Sequence, residues 1–362
     1  METAVATAAG ASAPACEFHG DNLKRRLVTI LSLLLILLLV SGGWYLHTQQ
    51  QGRERAVRLF AQFKPAPLPD IGSTRSLRIL PLLEYRSARP DLLTEVGISY
   101  LVETDSQRIL YDVGQNSRGI RPSALERNMA TLGVELESID TVFISHNHLD
   151  HVGGLNWQNN NTFSLGAEQK PFPNPRTQLI VPGSMSYPGM TPITAEQPMA
   201  IGPGIGSTGL ASTGSIGRQL AIGWIEEHSL VVMVEGLGGV IIVACGHQPV
   251  PNLLKRYDDL FEAPLYGIIG GLHFPVPEGR IRLGPVDVQR QLASGEGLLS
   301  PLSAAEVDRQ LAMLQQYQPR VIGVSPHDSS DEVIARAEQL FGSAYRHIRV
   351  GEAIVIGESA AQ

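Results

Sequence analysis

Cysteine is scarce in this chain of 362 residues, which contains only Cys16 and Cys245. Two thiols provide neither a disulfide framework nor a cysteine-rich zinc module. Basic residues are also in deficit: the net charge of −7 argues against a nucleic-acid partner, because phosphate binding usually requires a basic excess. Charged residues make up 17% and hydrophobic residues 43%, so a substantial core can be buried. Because cysteine is so scarce, any metal site must rely on histidine and aspartate.

One long run lacks charge altogether. Leu27 to Leu46, "LVTILSLLLILLLVSGGWYL", is long enough to cross the roughly 30 Å hydrocarbon core of a membrane as a helix. The basic residues 24–26 directly precede it, which favours a cytoplasmic N-terminus. We therefore predict a single-pass transmembrane helix over 27–46, with a periplasmic or equivalent extracytoplasmic domain behind it. A cleaved signal peptide is the alternative, although its apolar region is normally shorter.

Composition divides the rest of the chain. Residues 1–23 read as a disordered cytoplasmic tail, 47–75 as a polar stalk and linker, and 76–358 as one folded domain. Within that domain, 156–222 is rich in Gly, Pro, Ser and Asn, which predicts a loop-rich insert around a few strands such as "TQLIV".

Strand and helix patterns alternate along the folded domain. "SYLVET" and "RILYDV" predict one hairpin, and the apolar runs flanking "GLGG" predict another. Two helices are marked by capping patterns, one after Ser303 with Glu306 and one after Ser329 with Glu332.

The segment "ISHNHLDH" carries four metal-type ligands in six positions: His146, His148, Asp150 and His151. His-x-His places two imidazoles on the same side of an extended chain, whereas Asp150 and His151 lie where the chain turns and must point elsewhere. The four thus suit two adjacent cations better than one. Burying these four side chains without partners would be costly, so the segment predicts a metal site.

Further candidates also stand at the ends of predicted strands. They are Asp112, His247, His273 and His327. Strand ends from distant parts of a chain can converge on one rim, which is how a rigid scaffold builds a site with many ligands. Imidazole and carboxylate together suit zinc first, with iron or manganese as alternatives.

The run matches H-x-H-x-D-H, the signature of metallo-β-lactamase-fold hydrolases, and the resemblance covers most of residues 76–358. It implies an α/β fold, an αββα four-layer sandwich with a metal site at one edge of two sheets. By position it implies one metal on His146, His148 and His247, and a second on Asp150, His151 and His327. Asp112 matches an aspartate that supports the site.

The order of the later motifs resembles one branch, the 7,8-dihydropterin-6-methyl-4-(β-D-ribofuranosyl)-aminobenzene-5′-phosphate synthase-like proteins. Cys245 with His247, the Gly-Gly pair before His273, and Pro326 with His327 match its later motifs. Many superfamily members have a metal-bridging aspartate where this chain has "ACGH", so Cys245 or His247 stands there. The branch also commonly has cysteine at the position of Asp328.

Two residues remain as supporting or substitute ligands. His273 can contact a ligand or bind metal itself, and His228 in "EEHSL" can substitute for His247.

These features predict a membrane-anchored metal-dependent hydrolase of a small molecule, a phosphoester or a small cyclic ester such as a lactone. Two divalent cations lower the pKa of bound water and supply hydroxide at neutral pH. Asp150 is the predicted catalytic residue, orienting that nucleophile and moving its proton. The alternatives are a metal-stabilised periplasmic binding protein without activity and a di-iron redox enzyme.

Overall fold

The computed structural model describes Gly10 and residues 18–68, 70–202 and 208–358. It contains two compact units, residues 1–51 and residues 52–362. The predicted disordered tail, 1–23, falls mostly outside the described residues, and its last part is helical because the first helix begins at Phe18.

That first helix, α1, spans Phe18–Gln62. Its portion Leu23–Gln62 has the length and composition of a membrane span, with a mean hydropathy of 2.4 in its most apolar window. A signal sequence has the same properties, so the helix is a candidate span. Because α1 continues to Gln62, the predicted stalk 47–75 is helical over its first part, and the helix residues from Gly52 onward belong to the second unit.

The second unit alternates strands with short helices. The strands are β1 Ser76–Leu83, β2 Ser99–Thr104, β3 Arg108–Tyr111, β4 Thr141–Phe143, β5 Gln178–Val181, β6 Pro192–Thr194, β7 Met199–Ile201, β8 Leu210–Ser212, β9 Ile216–Leu220, β10 Gly223–Glu227, β11 Leu230–Val234, β12 Gly238–Val243, β13 Leu265–Gly270, β14 Arg282–Leu283, β15 Val286–Asp287, β16 Val321–Val324 and β17 Ile354–Gly357. The helices are α2 Ala124–Thr131, α3 Leu155–Asn159, α4 Val250–Leu260, α5 Val288–Leu292, α6 Ala304–Gln316 and α7 Asp331–Phe341.

Two large sheets organise these strands. One has seven strands in the order β17-β1-β2-β3-β4-β5-β6, and the other has six in the order β16-β13-β12-β11-β8-β7. Strands β3, β4 and β5 are mutually parallel, as are β12, β13 and β16. Parallel neighbours end at the same edge, so the loops that follow them collect on one rim of each sheet.

Three hydrophobic layers confirm the predicted αββα sandwich. Tyr111, Phe143 and Ile242 belong to the central layer between the sheets. Residues of α2, such as Leu125, pack on the outer face of the seven-stranded sheet. Residues of α4, α6 and α7, such as Leu253, cover the outer face of the six-stranded sheet. Each sheet is thus buried on both faces.

Local signals explain most element boundaries. The hairpin of β11 and β12 pairs Val234 with Gly238, and β2 pairs with β3 as predicted. The Ser303 hydroxyl accepts the Glu306 amide at the start of α6. The predicted cap at Ser329 is one residue early, because Ser330 accepts the Val333 amide while the Ser329 hydroxyl donates to Asp328.

The Gly/Pro-rich stretch 156–222 contributes to both sheets. The predicted strand "TQLIV" forms β5, which with β6 extends the seven-stranded sheet. Further along, β7 and β8 extend the six-stranded sheet, while β9 pairs only with β10 in a separate two-stranded hairpin. This β9–β10 hairpin lies outside both large sheets.

Candidate metal centre

Strand ends from both sheets supply the centre. Asp112 directly follows β3, Ser145 lies two residues after β4, and Cys245 lies two residues after β12. His273 and His327 each lie three residues after a strand, β13 and β16 respectively. The convergence expected from the sequence is therefore present: the candidate residues from β3, β4, β12, β13 and β16 meet at one rim.

Close backbone contacts allow this convergence. A Cβ on Gly271 would lie 2.1 Å from the Ala244 carbonyl oxygen and 2.2 Å from the Asp328 Oδ2 atom. A Cβ on Gly97, whose φ is +105°, would lie 2.2 Å from the Asp150 carbonyl oxygen. Only glycine fits at such approaches, which explains the glycine that directly follows Gly270 in "GGLH".

The signature loop folds back on itself so that its ligands point in different directions. The amides of His151 and Val152 both donate to the His148 carbonyl oxygen. The His151 Nδ1 atom lies 2.8 Å from Asp112 Oδ2, which leaves Nε2 pointing away, 3.0 Å from Cys245 Sγ. Asp112 thus fixes the orientation of this imidazole.

Four residues form the first group of ligand atoms: Asp150, His151, Cys245 and His327, whose atoms all lie within 4.8 Å of one another. The Cys245 Sγ atom is 3.3 Å from His327 Nε2. All four residues are buried. Three of them are the set that the resemblance implied, and the thiol is the addition.

The second group contains His146, Cys245 and His247, again within 4.8 Å of one another. His148 adjoins it, since its Nδ1 atom lies 3.1 Å from His247 Nε2. The Cys245 sulfur therefore belongs to both groups. Of the two residues that the sequence left open for the bridging position, the geometry favours Cys245.

The donor set and the unpartnered atoms fit divalent cations. His146 Nε2 and His247 Nδ1 are buried without a hydrogen-bond partner in the described part of the chain, and so are both ring nitrogens of His273. Buried polar atoms are normally paired. Imidazole nitrogen, carboxylate oxygen and thiolate sulfur together suit zinc or iron.

A carboxylate and a serine orient the His146 ring. The Ser145 hydroxyl donates to Asp112 Oδ2 at 2.6 Å and lies 2.9 Å from His146 Nδ1. With the hydroxyl hydrogen on Asp112, Nδ1 is the donor, which leaves Nε2 as the metal-facing lone pair. The His327 ring has the same arrangement: the Ser325 hydroxyl donates to Glu84 and lies 2.7 Å from His327 Nδ1.

A third buried carboxylate fixes the loop after β12. Glu227 accepts the backbone amides of Cys245, Gly246 and His247 at 3.1, 2.9 and 2.6 Å. Sequence reasoning missed Glu84 and Glu227. The only available signal was an acidic residue at the end of a strand, since Glu84 directly follows β1 and Glu227 ends β10.

The charges of the site depend on burial and on the two aspartates. Burial lowers the pKa of His146 and His247 well below the usual value, so these rings are neutral and able to bind metal. Burial alone would also lower the pKa of His151, but the charges of Asp150 and Asp112 raise it to about 9. Burial raises the pKa of the Cys245 thiol, and a nearby cation would reverse that effect.

His228 and His273 differ sharply. Both ring nitrogens of His228 are used, at 2.8 Å from Ser212 Oγ and 2.8 Å from the Ile144 carbonyl oxygen, and the ring stacks on Phe143. We therefore place it in the core rather than in the metal centre. His273 lies beside His247 with ring centroids 4.5 Å apart, and its atoms form a further group with Cys245 and Asp328.

Known proteins resemble this chain in sequence. Residues 95–248 match the family model described as "Metallo-beta-lactamase superfamily". A 7,8-dihydropterin-6-methyl-4-(beta-D-ribofuranosyl)-aminobenzene-5′-phosphate synthase of Methanocaldococcus jannaschii is 23% identical over 247 residues, covering 57% of this chain and 80% of that protein. An uncharacterized protein of the same organism is 33% identical over 79 residues, 22% of this chain and 28% of its own length.

A solved structure shows the same fold. The crystal structure of a metal-dependent hydrolase of the beta-lactamase superfamily matches with a TM-score of 0.52 and 17% identity, covering 78% of this chain and all of that one. A metallo-beta-lactamase fold protein from Bacillus subtilis covers 78% of this chain and 99% of its own, with 12% identity and a TM-score of 0.45. The predicted resemblance and fold are confirmed, and the prediction of a hydrolase-type enzyme is confirmed at the level of the superfamily.

Proposed function

The chain carries a metallo-β-lactamase-superfamily domain with the fold of metal-dependent hydrolases, and from that premise we propose that it hydrolyses a phosphoester or a small cyclic ester at a pair of divalent cations. The observation that carries the proposal is the sharing of Cys245 by two groups of ligand atoms. Zinc is the first choice for the ions, with iron or manganese as alternatives.

His146, His148 and His247 would hold one ion together with Cys245, and Asp150, His151 and His327 would hold the other. Bound divalent cations lower the pKa of coordinated water to about 7 and so supply a nucleophile at neutral pH. The remaining work falls to side chains of this protein.

Asp150 is the best placed proton acceptor. Burial would raise its pKa, but the charges of His151 and His148 outweigh burial and hold it below the ordinary value. The carboxylate is therefore ionised, and its Oδ2 atom lies 3.7 Å from His151 Nε2 within the first group of ligand atoms. An ionised carboxylate in this place can orient a water molecule and accept its proton.

Substrate has one evident approach. His148 and its neighbours Asn147 and Leu149 are half-buried, whereas His146, His151 and His327 are fully buried. Substrate would therefore approach from the side of His148, and the buried side chains behind it would exclude bulk water.

The experiment uses the full chain and two paired measurements. His146→Ala and His148→Ala should each lose bound metal, measured by mass spectrometry, and lose turnover on a panel of phosphodiester, lactone and thioester substrates. His347→Gln is the matched control, because His347 lies away from the centre beside the exposed Glu338 and should change neither quantity.

Other outcomes would favour the alternatives. Full turnover in a His146→Ala protein without metal would reject the hydrolytic proposal. Inert substrates together with a metal-dependent melting temperature would favour a metal-stabilised binding protein. Bound iron with a visible absorption band and activity only with a flavin protein would favour the di-iron redox enzyme.

We also propose that α1 anchors the protein in a membrane, with its metal centre outside the cytoplasm. The uncharged run 27–46 and the basic residues 24–26 support this. Membrane fractionation and protease treatment of intact cells test it. A product shortened at its N-terminus and free in solution would show that the segment is a cleaved signal peptide instead.

A further inference from the structure

Arg218 brings a positive charge to the edge of the metal centre. It lies on β9, in the β9–β10 hairpin that belongs to neither large sheet. The guanidinium Nη1 atom donates to the His247 carbonyl oxygen at 2.6 Å, and Nη2 donates to the Gly295 carbonyl oxygen at 2.8 Å. It therefore contacts the backbone of a metal-ligand residue directly.

The hairpin presents Arg218 to the site because side chains alternate along a strand. Its neighbours, Gly217 and Gln219, point the other way: a Cβ on Gly217 would meet the Trp224 ring, and a Cβ on Gly52 would meet the Gln219 side chain. One face of β9 is thus occupied by Trp224 and α1, which leaves the opposite face to turn Arg218 toward His247.

The charge of Arg218 has no directly bonded acidic partner among the described residues, and the carboxylates of Glu296, Glu227 and Glu306 act on it only from beyond ion-pair distance. No carboxylate oxygen of a described residue lies within 4.0 Å of its guanidinium, the limit for an ion pair. The contrast is Arg280, which donates to the Pro326 carbonyl oxygen on the other side of the site but also pairs with Asp331. Two carbonyl oxygens satisfy hydrogen bonds without neutralising a charge, and a buried charge is costly unless it is paired.

Arg218 is also within reach of a ligand. It is half-buried, and several of the five N–H groups of a guanidinium remain beyond the two used by the carbonyls. Arg256 is another arginine without a carboxylate partner, but it is fully buried with Phe60 and Phe63 against its guanidinium. The aromatic rings account for Arg256, and nothing comparable covers Arg218.

Unpartnered histidine nitrogens complete the surroundings. Both ring nitrogens of His273 and the Nδ1 atom of His247 are buried without a partner. A neutral imidazole carries one N–H, so the unpartnered His273 ring can donate one hydrogen bond to a ligand. The Arg218 guanidinium and the N–H of His273 thus add hydrogen-bond donors beside the proposed pair of cations.

We propose that Arg218, together with the His273 ring that lies against His247, binds an oxyanion of the substrate next to the metal centre, so that the substrate carries a phosphate or carboxylate group at or near the bond that is cleaved. This inference rests on the proposed function and narrows its substrate class to anionic esters. Guanidinium groups bind such oxyanions through paired, charge-assisted hydrogen bonds, which gives both affinity and orientation.

The test uses the metal-loaded full chain with inorganic phosphate and acetate as probes. Equilibrium dialysis of labelled phosphate and labelled acetate measures affinity in the parent protein, Arg218→Met, Arg218→Lys and Arg176→Gln. Arg176 is exposed, and Arg176→Gln removes the same charge at a distant position, so this variant is the matched control. Metal content and the melting temperature of each variant are measured in parallel, and Arg218→Lys stands in if Arg218→Met fails to fold.

We expect Arg218→Met to weaken oxyanion binding by about tenfold or more, in line with the loss of charge-assisted hydrogen bonds, and Arg218→Lys to weaken it less. Arg176→Gln should change it by less than about twofold, because exposed charges are screened. An effect on phosphate alone would indicate a phosphoester substrate, and an effect on acetate alone a carboxylated one.

Equal affinity of the parent and a folded, metal-loaded Arg218 variant for both probes would overturn the inference. Binding is measured without turnover, so failure of the proposed function is recognised separately: the whole ester panel would stay inert while Arg218-dependent binding persisted. Conversely, the turnover of anionic and neutral esters could fall equally in Arg218→Lys or stay unchanged. Either result would reject the oxyanion site and leave the proposed hydrolase activity intact.

Discussion

Two carboxylate–serine–histidine chains orient ligands of the centre, and they differ in what they connect. Asp112, Ser145 and His146 lie at the ends of β3 and β4, within the seven-stranded sheet. Glu84 lies at the end of β1 in the same sheet, but its serine and histidine follow β16 in the six-stranded sheet. The first chain joins two loops of one sheet, whereas the second joins the two sheets.

The two carboxylates also differ in charge balance. Burial raises the pKa of Asp112, but the charge of His151 and hydrogen bonds to that ring oppose the rise. Burial raises the pKa of Glu84 to about 7, and the causes that oppose it are hydrogen bonds rather than charges. Hence Asp112 supports two histidine ligands and has a charged histidine as partner, while Glu84 supports one histidine without a charged partner and is partly protonated near neutral pH.

The largest effect on metal content is expected at Cys245, which lies among ligands oriented by both carboxylate–serine–histidine chains. Cys245→Ala should reduce bound metal to less than about half of the parent value, because a shared ligand is lost from both groups. Cys245→Asp should retain more metal, since a carboxylate can also bridge. Metal per chain is measured by mass spectrometry, and unchanged content in Cys245→Ala would show that the sulfur is not shared.

The next largest effect is expected at Asp112, in the carboxylate–serine–histidine chain within the seven-stranded sheet. Asp112→Asn should weaken metal binding by about 10–100-fold, because partners that orient metal-binding histidines typically contribute that much. Competition with a chelating dye measures the affinity. If Asp112→Asn and Glu84→Gln weakened binding equally, the contrast between two supported histidines and one would be unfounded.

The chain from Glu84 to His327, which joins the two sheets, predicts a smaller effect on metal affinity and a distinct pH dependence of folding stability. A carboxyl whose folded pKa is raised stabilises the fold below its unfolded value and loses that contribution as pH rises through its folded value. For Glu84 the window runs from 4.5 to about 7. Without metal, the parent should lose up to a few kcal/mol over this range relative to Glu84→Gln.

Urea unfolding of the chelated full chain at several pH values measures this difference. Parallel stability curves for the two proteins would contradict the assignment. Metal affinity of Glu84→Gln should fall by less than about tenfold, since its effect passes through Ser325 to one ligand.

The smallest effect on metal is expected for His228→Gln, which tests the boundary of the centre. His228 uses both ring nitrogens in the core, so metal content should stay at the parent value. Stability should fall by about 1–3 kcal/mol, since a buried polar group loses its fitted partners. Loss of metal in this variant with retained folding would return His228 to the ligand set.

Contiguous features of the site could be predicted from the sequence. Four ligands within "SHNHLDH" have local spacing that points to metal, and the hairpins carry their own turn residues. The αββα fold followed from the resemblance attached to that motif. The cap of α7 was one residue off because the hydroxyl of Ser329 bonds to Asp328, a choice that depends on tertiary structure.

The supporting residues could not be predicted in this way. Glu84 and Ser325 are separated by 241 positions, and Arg218 reaches His247 across 29. Each has an ordinary local sequence, and its role arises only when the sheets bring distant strand ends together. The bridging role of Cys245 likewise depends on two sets of ligands meeting at one sulfur.

The continuation of α1 to Gln62 determines where a truncated enzyme can safely begin. The Arg55 guanidinium lies 4.5 Å from the centre of the Trp224 ring, and Trp224 pairs with Gln219 beside Arg218. A soluble fragment that starts near residue 60 would strip this cover from the hairpin and expose an aromatic ring. A fragment that starts at Gly52 would keep the whole second unit. Substrate specificity measured on a shorter fragment would therefore describe an altered protein.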